Sequence, residues 1–305
     1  MARPPRNPGI ATLNGVSPSM VALPVGPWPT LLDFLAERLP VVSRSEWAER
    51  IAMGQVLHED GRAVRPEQVY APGQRLYYYR NLRQEPELPE DETVLFENEH
   101  LLVADKPHFM PVTPTGKYVQ QSLLVRLKRR TGCAELSPLH RIDRETAGLV
   151  LFSKHPQDRS AYQALFRDRQ VHKIYEAVAA IPRDSHFPRV HCSRIEEDEQ
   201  FFRMREVPGE PNSETHIDLL RLAGDHALYQ LSPVTGRRHQ LRVHMTSLGT
   251  PIEGDQFYPT VLRGPDEAED FSCPLQLLAR HIAFTDPITG EPHRWRSQRS
   301  LRLSA

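Results

Sequence analysis

The spacing of apolar residues changes period several times along the chain. After Thr30, which can cap a helix, Leu31, Leu32, Phe34, Leu35 and Leu39 fall on one helical face. Ser43 can cap a second helix that carries Trp47, Ile51 and Met53 and stops at Gly54. Val56 and Leu57, a turn at Asp60-Gly61 and a strand over residues 74–79 complete a small unit. Past Thr93 the period shortens to two, and residues 94–96 and 101–104 read as a hairpin. Helical spacing returns at 122–130 and 157–170, and strands are predicted at 148–152, from Val171, and over 215–222 and 227–234. Thr235 is placed as the cap of a last helix that runs to about Ser247 and ends at Gly249. Strands interleaved with outer helices predict an α+β fold: a mixed, mainly antiparallel sheet preceded by a small N-terminal α/β domain.

The polar stretches set the boundaries. Residues 1–26, rich in proline and small residues, are expected to be a disordered or loosely attached arm. Residues 27–82 form the small domain. Residues 83–92, with the run QEPELPEDE, are expected to be an exposed acidic linker, and 93–305 the main domain.

Composition changes this picture little. A charged fraction of 25% and a hydrophobic fraction of 39% describe an ordinary soluble protein. The net charge of −1 provides no global field for nucleic acid, so any such contact must come from local patches. One patch is Arg126, Lys128, Arg129 and Arg130; another is Arg237, Arg238 and Arg242. A third, Arg294, Arg296, Arg299 and Arg302, reads equally well as a solvated face. Cys133, Cys192 and Cys273 make neither a disulfide framework nor a C-x-x-C pair, which fits a reducing cytoplasm. The 14 histidines lack metal-ligand spacing, so no metal is expected. No apolar run approaches the ~18 residues of a membrane span, and the N-terminus has no signal-peptide core.

The candidate chemistry is concentrated in PLHRIDRETAGLVLFSK, residues 138–154. Asp143 lies between Arg141 and Arg144, directly before a buried-looking run. Opposite charge keeps such a carboxylate ionised, and a core strand behind it holds it as rigidly as a nucleophile or base requires. A solvated Arg–Asp–Arg cluster is the competing reading, since surface ion pairs are common and nearly neutral in energy. The longer string favours chemistry: HRIDRETAGLVLF resembles the catalytic motif of the RluA-type pseudouridine synthases. HKIYEA at 172–177, TGRRHQLRVH at 235–244, GTPIEGD at 249–255 and LLARHIAFTDPITGE, ending at Glu291, resemble further family elements in the family's order. Asp105-Lys106-Pro107 resembles its opening element, although His108-Phe109 departs from the usual continuation. The resemblance spans about residues 91–296. The N-terminal unit resembles the alpha-L RNA-binding motif of a small-subunit ribosomal protein, with Glu59-Asp60-Gly61 in place of the usual Val-Asn-Gly turn.

The resemblance implies an isomerase that breaks the uracil–ribose C–N bond, turns the base in its pocket and reattaches it through carbon-5. That chemistry needs no redox change and no cofactor. By resemblance Asp143 is the nucleophile or base and Arg237 its partner. Arg237 and Arg238 would sit in the first turn of the last helix, where the dipole disfavours a cation by about 0.3–1 kcal/mol, which points to a bound anion. Strand alternation puts Lys173 and Tyr175 on one face. In the family this tyrosine stacks on the target base and is a candidate for proton transfer at carbon-5. Arg141 matches the residue that fills the space of the flipped nucleotide. Arg144, Lys173, Arg238 and the 126–130 patch are expected RNA contacts. His140 is expected to orient the motif loop, and Gln240 and His244 to satisfy core polar groups. The expected partner is structured RNA, large-subunit rRNA first and tRNA second, met by a cytoplasmic monomer. A non-catalytic RNA-binding module would predict damage to the Asp–Arg–Tyr set. A hydrolase pairing Asp143 with a histidine would leave the Lys-x-Tyr and TGRRHQLR elements without a role.

Overall fold

The computed structural model describes residues 10–80, 85–181, 186–200, 202–264, 267 and 270–302. In the N-terminal unit, α1 (Leu31–Arg38) and α2 (Arg44–Ala52) both start with capping boxes: Thr30 with Asp33, and Ser43 with Glu46. Their apolar faces bring Phe34, Leu35, Trp47 and Ile51 onto Leu76 and Val56. A three-stranded sheet closes the unit, in the order β1 (Ser19–Ala22), β3 (Arg75–Tyr78), β2 (Val56–His58).

Strand β1 corrects one expectation. From Ile10 onward the arm is packed. Its strand pairs with β3, Ile10 is buried beside Tyr77 and Tyr79, and the Tyr79 hydroxyl donates to Ala11 O at 2.6 Å. Val16 is buried among Val119 and Val125 of the main domain. Few apolar residues suffice because the arm satisfies its backbone on a sheet edge. Residues 1–9 of the predicted arm lie outside the described residues.

From Glu85 on the linker is also docked; residues 83–84 of it lie outside the described residues. Glu85 accepts from the backbone N–H groups of Val119, Gln120 and Gln121 at 2.8–2.9 Å, just ahead of α3 (Leu123–Thr131). Leu88 packs into the core beneath α3. Glu92 and Asp91 pair with Arg126, and Glu90 with Arg299. The acids that suggested solvent exposure are the groups that attach the segment.

The main domain is built on an eleven-stranded sheet. Its strands in chain order are β4 (Thr93–Glu97), β5 (Leu101–Lys106), β6 (Ser137–Pro138), β7 (Ala147–Ser153), β8 (His172–Ala180), β9 (Arg189–Glu197), β10 (Met204–Val207), β11 (Ser213–Ala223), β12 (His226–Pro233), β13 (Leu277–Thr285) and β14 (Pro292–Arg296). The spatial order is β10-β9-β11-β12-β8-β13-β7-β5-β4, with β14 on β13 and β6 on β7. All pairs are antiparallel except β13 with β7. Strand alternation divides the core. Leu101, Val103, Leu149 and Leu151 face Tyr162 and Leu165 of α4 (Arg159–Arg167), whereas Leu102, Ala104, Val150 and Phe152 face Leu123 and Leu127 of α3. Strand β7 is therefore covered on both sides, which is why its sequence is an unbroken apolar run. Helix α5 (Gln240–Ser247) lays Leu241 and Met245 on Tyr229, Leu231 and Ala177. Among the described residues, no helix is long and apolar enough to cross a membrane.

The docking of the linker is testable. Glu85→Ala leaves three backbone donors without their shared acceptor, and is expected to cost about 1–3 kcal/mol. The readout is a lower thermal midpoint together with faster proteolytic cleavage between the two domains. An unchanged cleavage rate would mean that Glu85 does not hold the linker.

Candidate active site

The Asp143 loop joins β6 to β7 and is fixed largely through its backbone. His140 accepts from Leu151 N at 3.2 Å and stacks on Phe166 with ring centroids 4.9 Å apart. Lys106, fully buried, donates to Pro107 O at 2.9 Å and to Arg144 O at 3.1 Å. His108 donates through Nδ1 to Glu145 O at 2.7 Å. Gly148, at φ +110°, lets β7 approach β13; a Cβ there would sit 2.3 Å from Ala279 O. Burial pushes His140 down to about 3, His108 to about 4 and Lys106 to about 7, so both rings stay neutral at pH 7. His140 thus orients the loop, as expected from the sequence.

The ion-pair partner of Asp143 is Arg242, which corrects the assignment of Arg237. Arg242 Nη1 lies 3.3 Å from Asp143 Oδ2 and 3.9 Å from Glu145 Oε2. Its Nε and Nη2 form a fork with Asp255 at 2.8 and 2.7 Å, and its guanidinium lies over the rings of Phe257 and Tyr258. Only 1% of the Arg242 side chain is exposed, against 25% for Asp143, so the carboxylate is the member of the pair that a ligand can reach. Asp255 is positioned by Gly254, at φ +74°, where a Cβ would meet Pro274 O at 2.4 Å. Burial by itself would raise the Asp143 carboxyl. The charge that His239 carries once protonated at low pH, the Arg242 guanidinium and Lys106 outweigh it and hold Asp143 below the ordinary carboxylate range.

Helix α5 begins at Gln240, with His239 rather than Thr235 as its cap, four residues later than expected. His239 at φ +53° breaks the helical run, and Gln240 Oε1 accepts from Thr235 Oγ1 at 2.7 Å and from Arg237 N at 3.0 Å. Arg237 and Arg238 therefore precede the helix and do not sit in its first turn. Arg237 donates to Asn212 O at 3.2 Å and Arg238 to Phe202 O at 2.7 Å, both on the exposed rim.

The cleft above Asp143 has a volume of about 1070 Å³. Asp143, Tyr175, Arg237, Arg141, Arg144, Lys173 and Arg238 all line it. Burial, and then the charge of Asp143, push the Tyr175 phenol well above its ordinary range. The 126–130 patch does not line the cleft. Arg126 is engaged with Asp91 and Glu92, and Lys128 is buried with its Nζ 3.2 Å from Ser17 Oγ. Arg129 and Arg130 are exposed on α3. Arg126 thus holds the linker and Lys128 the arm. Gln240 also donates to Glu214 O and Thr215 Oγ1, each at 3.0 Å, the core role expected of it. His244 lies with His191 and Glu206, all three offering donor atoms within 4.8 Å of one another. His191 is bonded to Glu206, and both nitrogens of His244 to hydroxyls of Ser193, Ser213 and Thr215. This arrangement satisfies buried polar groups.

Sequence reasoning missed the roles of Arg242, Asp255 and His239. A signal existed for Arg242: a cation flanked by Leu241, Val243 and Met245 on a short helix has to be buried and paired.

The family model described as RNA pseudouridylate synthase matches residues 100–247. An uncharacterized RNA pseudouridine synthase of Synechocystis is 32% identical over 75% of this chain and 79% of its own length. The ribosomal large subunit pseudouridine synthase D of Xanthomonas campestris is 31% identical over 85% of this chain and 82% of its own. The dual-specificity RNA pseudouridine synthase RluA of Vibrio cholerae is 33% identical over 64% of this chain and 77% of its own. Among solved structures, human RNA pseudouridylate synthase domain containing 4 superposes with a TM-score of 0.52 at 26% identity, covering 68% of this chain and 88% of its own.

Two outcomes are expected. Arg242→Ala strands two carboxylates and should cost about 3–5 kcal/mol in stability. Arg242→Lys should recover little, because an ammonium cannot fork onto Asp255. Arg237→Ala should leave the denaturation midpoint near wild type. Equal losses for Arg237→Ala and Arg242→Ala would contradict the pairing. The second outcome concerns pH. His108, His140 and His244 have folded-state values pushed by burial to about 4, about 3 and about 4. The unfolded chain then binds protons that the folded one does not, so stability is lost as pH falls below the ordinary histidine value of about 6.5. The urea midpoint should drop between pH 7 and pH 5; a flat profile would show that these rings are not buried as neutral groups.

Proposed function

The chain belongs to the RNA pseudouridine synthases of the RluA type, isomerases that act on RNA, and on that premise we propose that it modifies large-subunit ribosomal RNA with Asp143 as nucleophile or base. The observation that carries the role of Asp143 is its carboxylate, ionised and a quarter exposed at the floor of a cationic cleft. The ribosomal reading is favoured by the Xanthomonas relative, a ribosomal large subunit synthase by name, whose match extends over 85% of this chain. The N-terminal unit, residues 27–82, then serves as an alpha-L-like recognition element, and the protein works as a monomer in the cytoplasm. tRNA is the second candidate substrate.

In the reaction the C1′–N1 bond breaks and a C1′–C5 bond forms. Carbon-5 loses its proton and N1 ends protonated, so the product is an isomer of the substrate. Asp143 supplies the negative charge at the cleft floor, either as attacking atom or as acceptor of a ribose proton. Tyr175 stacks on the base, and its hydroxyl starts out protonated. Burial first and the Asp143 charge second keep that hydroxyl protonated, so a step that neutralises Asp143 removes only the smaller of the two barriers to its ionisation. Arg141 occupies the position of the flipped nucleotide. Arg144, Lys173, Arg237 and Arg238 neutralise phosphates around the rim.

Release of tritium from carbon-5-labelled uridine in ribosomal RNA tests the chemistry. Asp143→Asn should bind RNA and release none; release at even a tenth of the wild-type rate would remove Asp143 from its role. Tyr175→Phe should keep RNA affinity and slow release, while Tyr175→Ala should lose both. Mapping pseudouridines in total RNA from a deletion strain beside its parent identifies the substrate; sites missing only from tRNA would overturn the ribosomal reading.

A further inference from the structure

The Asp143 carboxylate has two oxygens, and Arg242 holds one of them. The other, Oδ1, faces His239 Nε2 at 3.9 Å. The opposite nitrogen of that ring, Nδ1, lies 2.9 Å from the Tyr258 hydroxyl. That hydroxyl accepts from Met204 N at 2.8 Å. Its own proton therefore needs an acceptor, and among the described residues His239 Nδ1 is the group in place to accept it. A ring that accepts at Nδ1 and stays neutral carries its proton on Nε2, the nitrogen turned toward Asp143.

We propose that the chain Met204 N–H to Tyr258 O–H to His239 Nδ1 fixes the tautomer of His239, so that a neutral Nε2–H donor is aimed at the Asp143 oxygen that Arg242 leaves free. His239 is then a positioning residue for Asp143, and Tyr258 a positioning residue for His239. The inference rests on the reading of Asp143 as the reacting carboxylate.

Three further observations agree. His239 sits at φ +53°, a conformation unusual for a residue other than glycine, and this places its ring between Asp143 and Tyr258 while its carbonyl accepts from Val243 N at 3.0 Å. The groups around the ring are mixed in sign: Asp143 and Glu145 favour its protonation, Arg242 and Arg238 oppose it, and burial opposes it most. The Tyr258 ring is itself fixed, with the Arg242 guanidinium 5.2 Å and the Arg203 guanidinium 4.9 Å from its centroid. A gap of 3.9 Å exceeds a hydrogen bond, and such contacts commonly shorten when substrate closes the site. A neutral donor suits this position, because an imidazolium would form a second ion pair with Asp143 and reduce its reactivity.

The test has one arm without RNA and one with it. Nitrogen-15 NMR of the histidine rings in the free, full-length protein reads the tautomer, with His239→Gln identifying the signal. At pH 7 the wild type should show a neutral Nε2–H ring, and Tyr258→Phe, which keeps the aromatic ring, should lose that preference. An Nδ1–H ring or an imidazolium in the wild type, or an unchanged tautomer in Tyr258→Phe, overturns the proposal. In single turnover on RNA, His239→Ala should slow isomerisation about 10- to 100-fold with RNA affinity held. His239→Gln, whose amide can still donate toward Oδ1, should recover part of the rate. A loss confined to affinity, or a Gln variant no better than Ala, also overturns it. The NMR arm does not depend on turnover, so a wild type without isomerase activity would count against the proposed function and leave the relay to be judged by the tautomer.

Discussion

The buried guanidinium of Arg242 is the constraint around which the site is organised. Removing a cation from water costs several kcal/mol unless its donors are matched by well-placed acceptors. Asp255 meets most of that requirement with a two-point fork, and its own Oδ1 also accepts from Phe257 N at 2.9 Å and Tyr258 N at 3.1 Å. Asp255 is thereby saturated. Asp143 receives only the remaining Nη1, at 3.3 Å. The two carboxylates share one cation unequally: one anchors the arginine, and the other stays ionised with an oxygen facing the cleft. A symmetric pairing would have protected Asp143 as thoroughly as Asp255.

The same asymmetry explains why the loop is held by its main chain. A carboxylate left open to a cleft cannot also be the group that fixes its own position. Lys106, His108 and His140 take hold of Arg144 O, Glu145 O and Leu151 N instead, and leave the Asp143 side chain unencumbered. Lys106 contributes twice, since its buried ammonium also helps to keep Asp143 ionised. The cost is a lysine in the core and two histidines that must remain neutral, and the fold repays it with the apolar packing of β5 and β7 on both faces of the sheet.

Local signals made much of this legible in the sequence. The caps at Thr30 and Ser43, the doubly buried β7 and the alternation of β8 follow from short-range rules, and each lies close to where the pattern placed it. The position of Asp143 was legible because it rides on β7. What escaped depends on contacts distant in sequence. Arg237 and Arg242 are both arginines on one short segment. Only the αL conformation of His239, which delays α5 until Gln240, decides that the second faces inward and the first stays on the rim. Asp255 was visible as part of a turn, but its pairing with Arg242 is a tertiary fact. The arm and linker were misread for a related reason. Proline and acidic residues are also characteristic of exposed segments, and nothing local reveals that the segment just ahead of α3 presents three backbone donors to Glu85.

That docking also bears on how a protein with a net charge of −1 can bind a polyanion. The acids of the linker are placed against Arg126 and Arg299, two cations that do not line the cleft. Ser17 of the arm covers Lys128. These three cations are thus engaged within the protein, while Arg141, Lys173, Arg237 and Arg238 line the cleft with Asp143. A modest total charge arranged in this way gives a local field directed at the cleft, which is what matters for a ligand within about 10 Å at physiological salt. The distribution of the acids thus focuses attraction where the Asp143 carboxylate is held, although that carboxylate by itself would repel RNA.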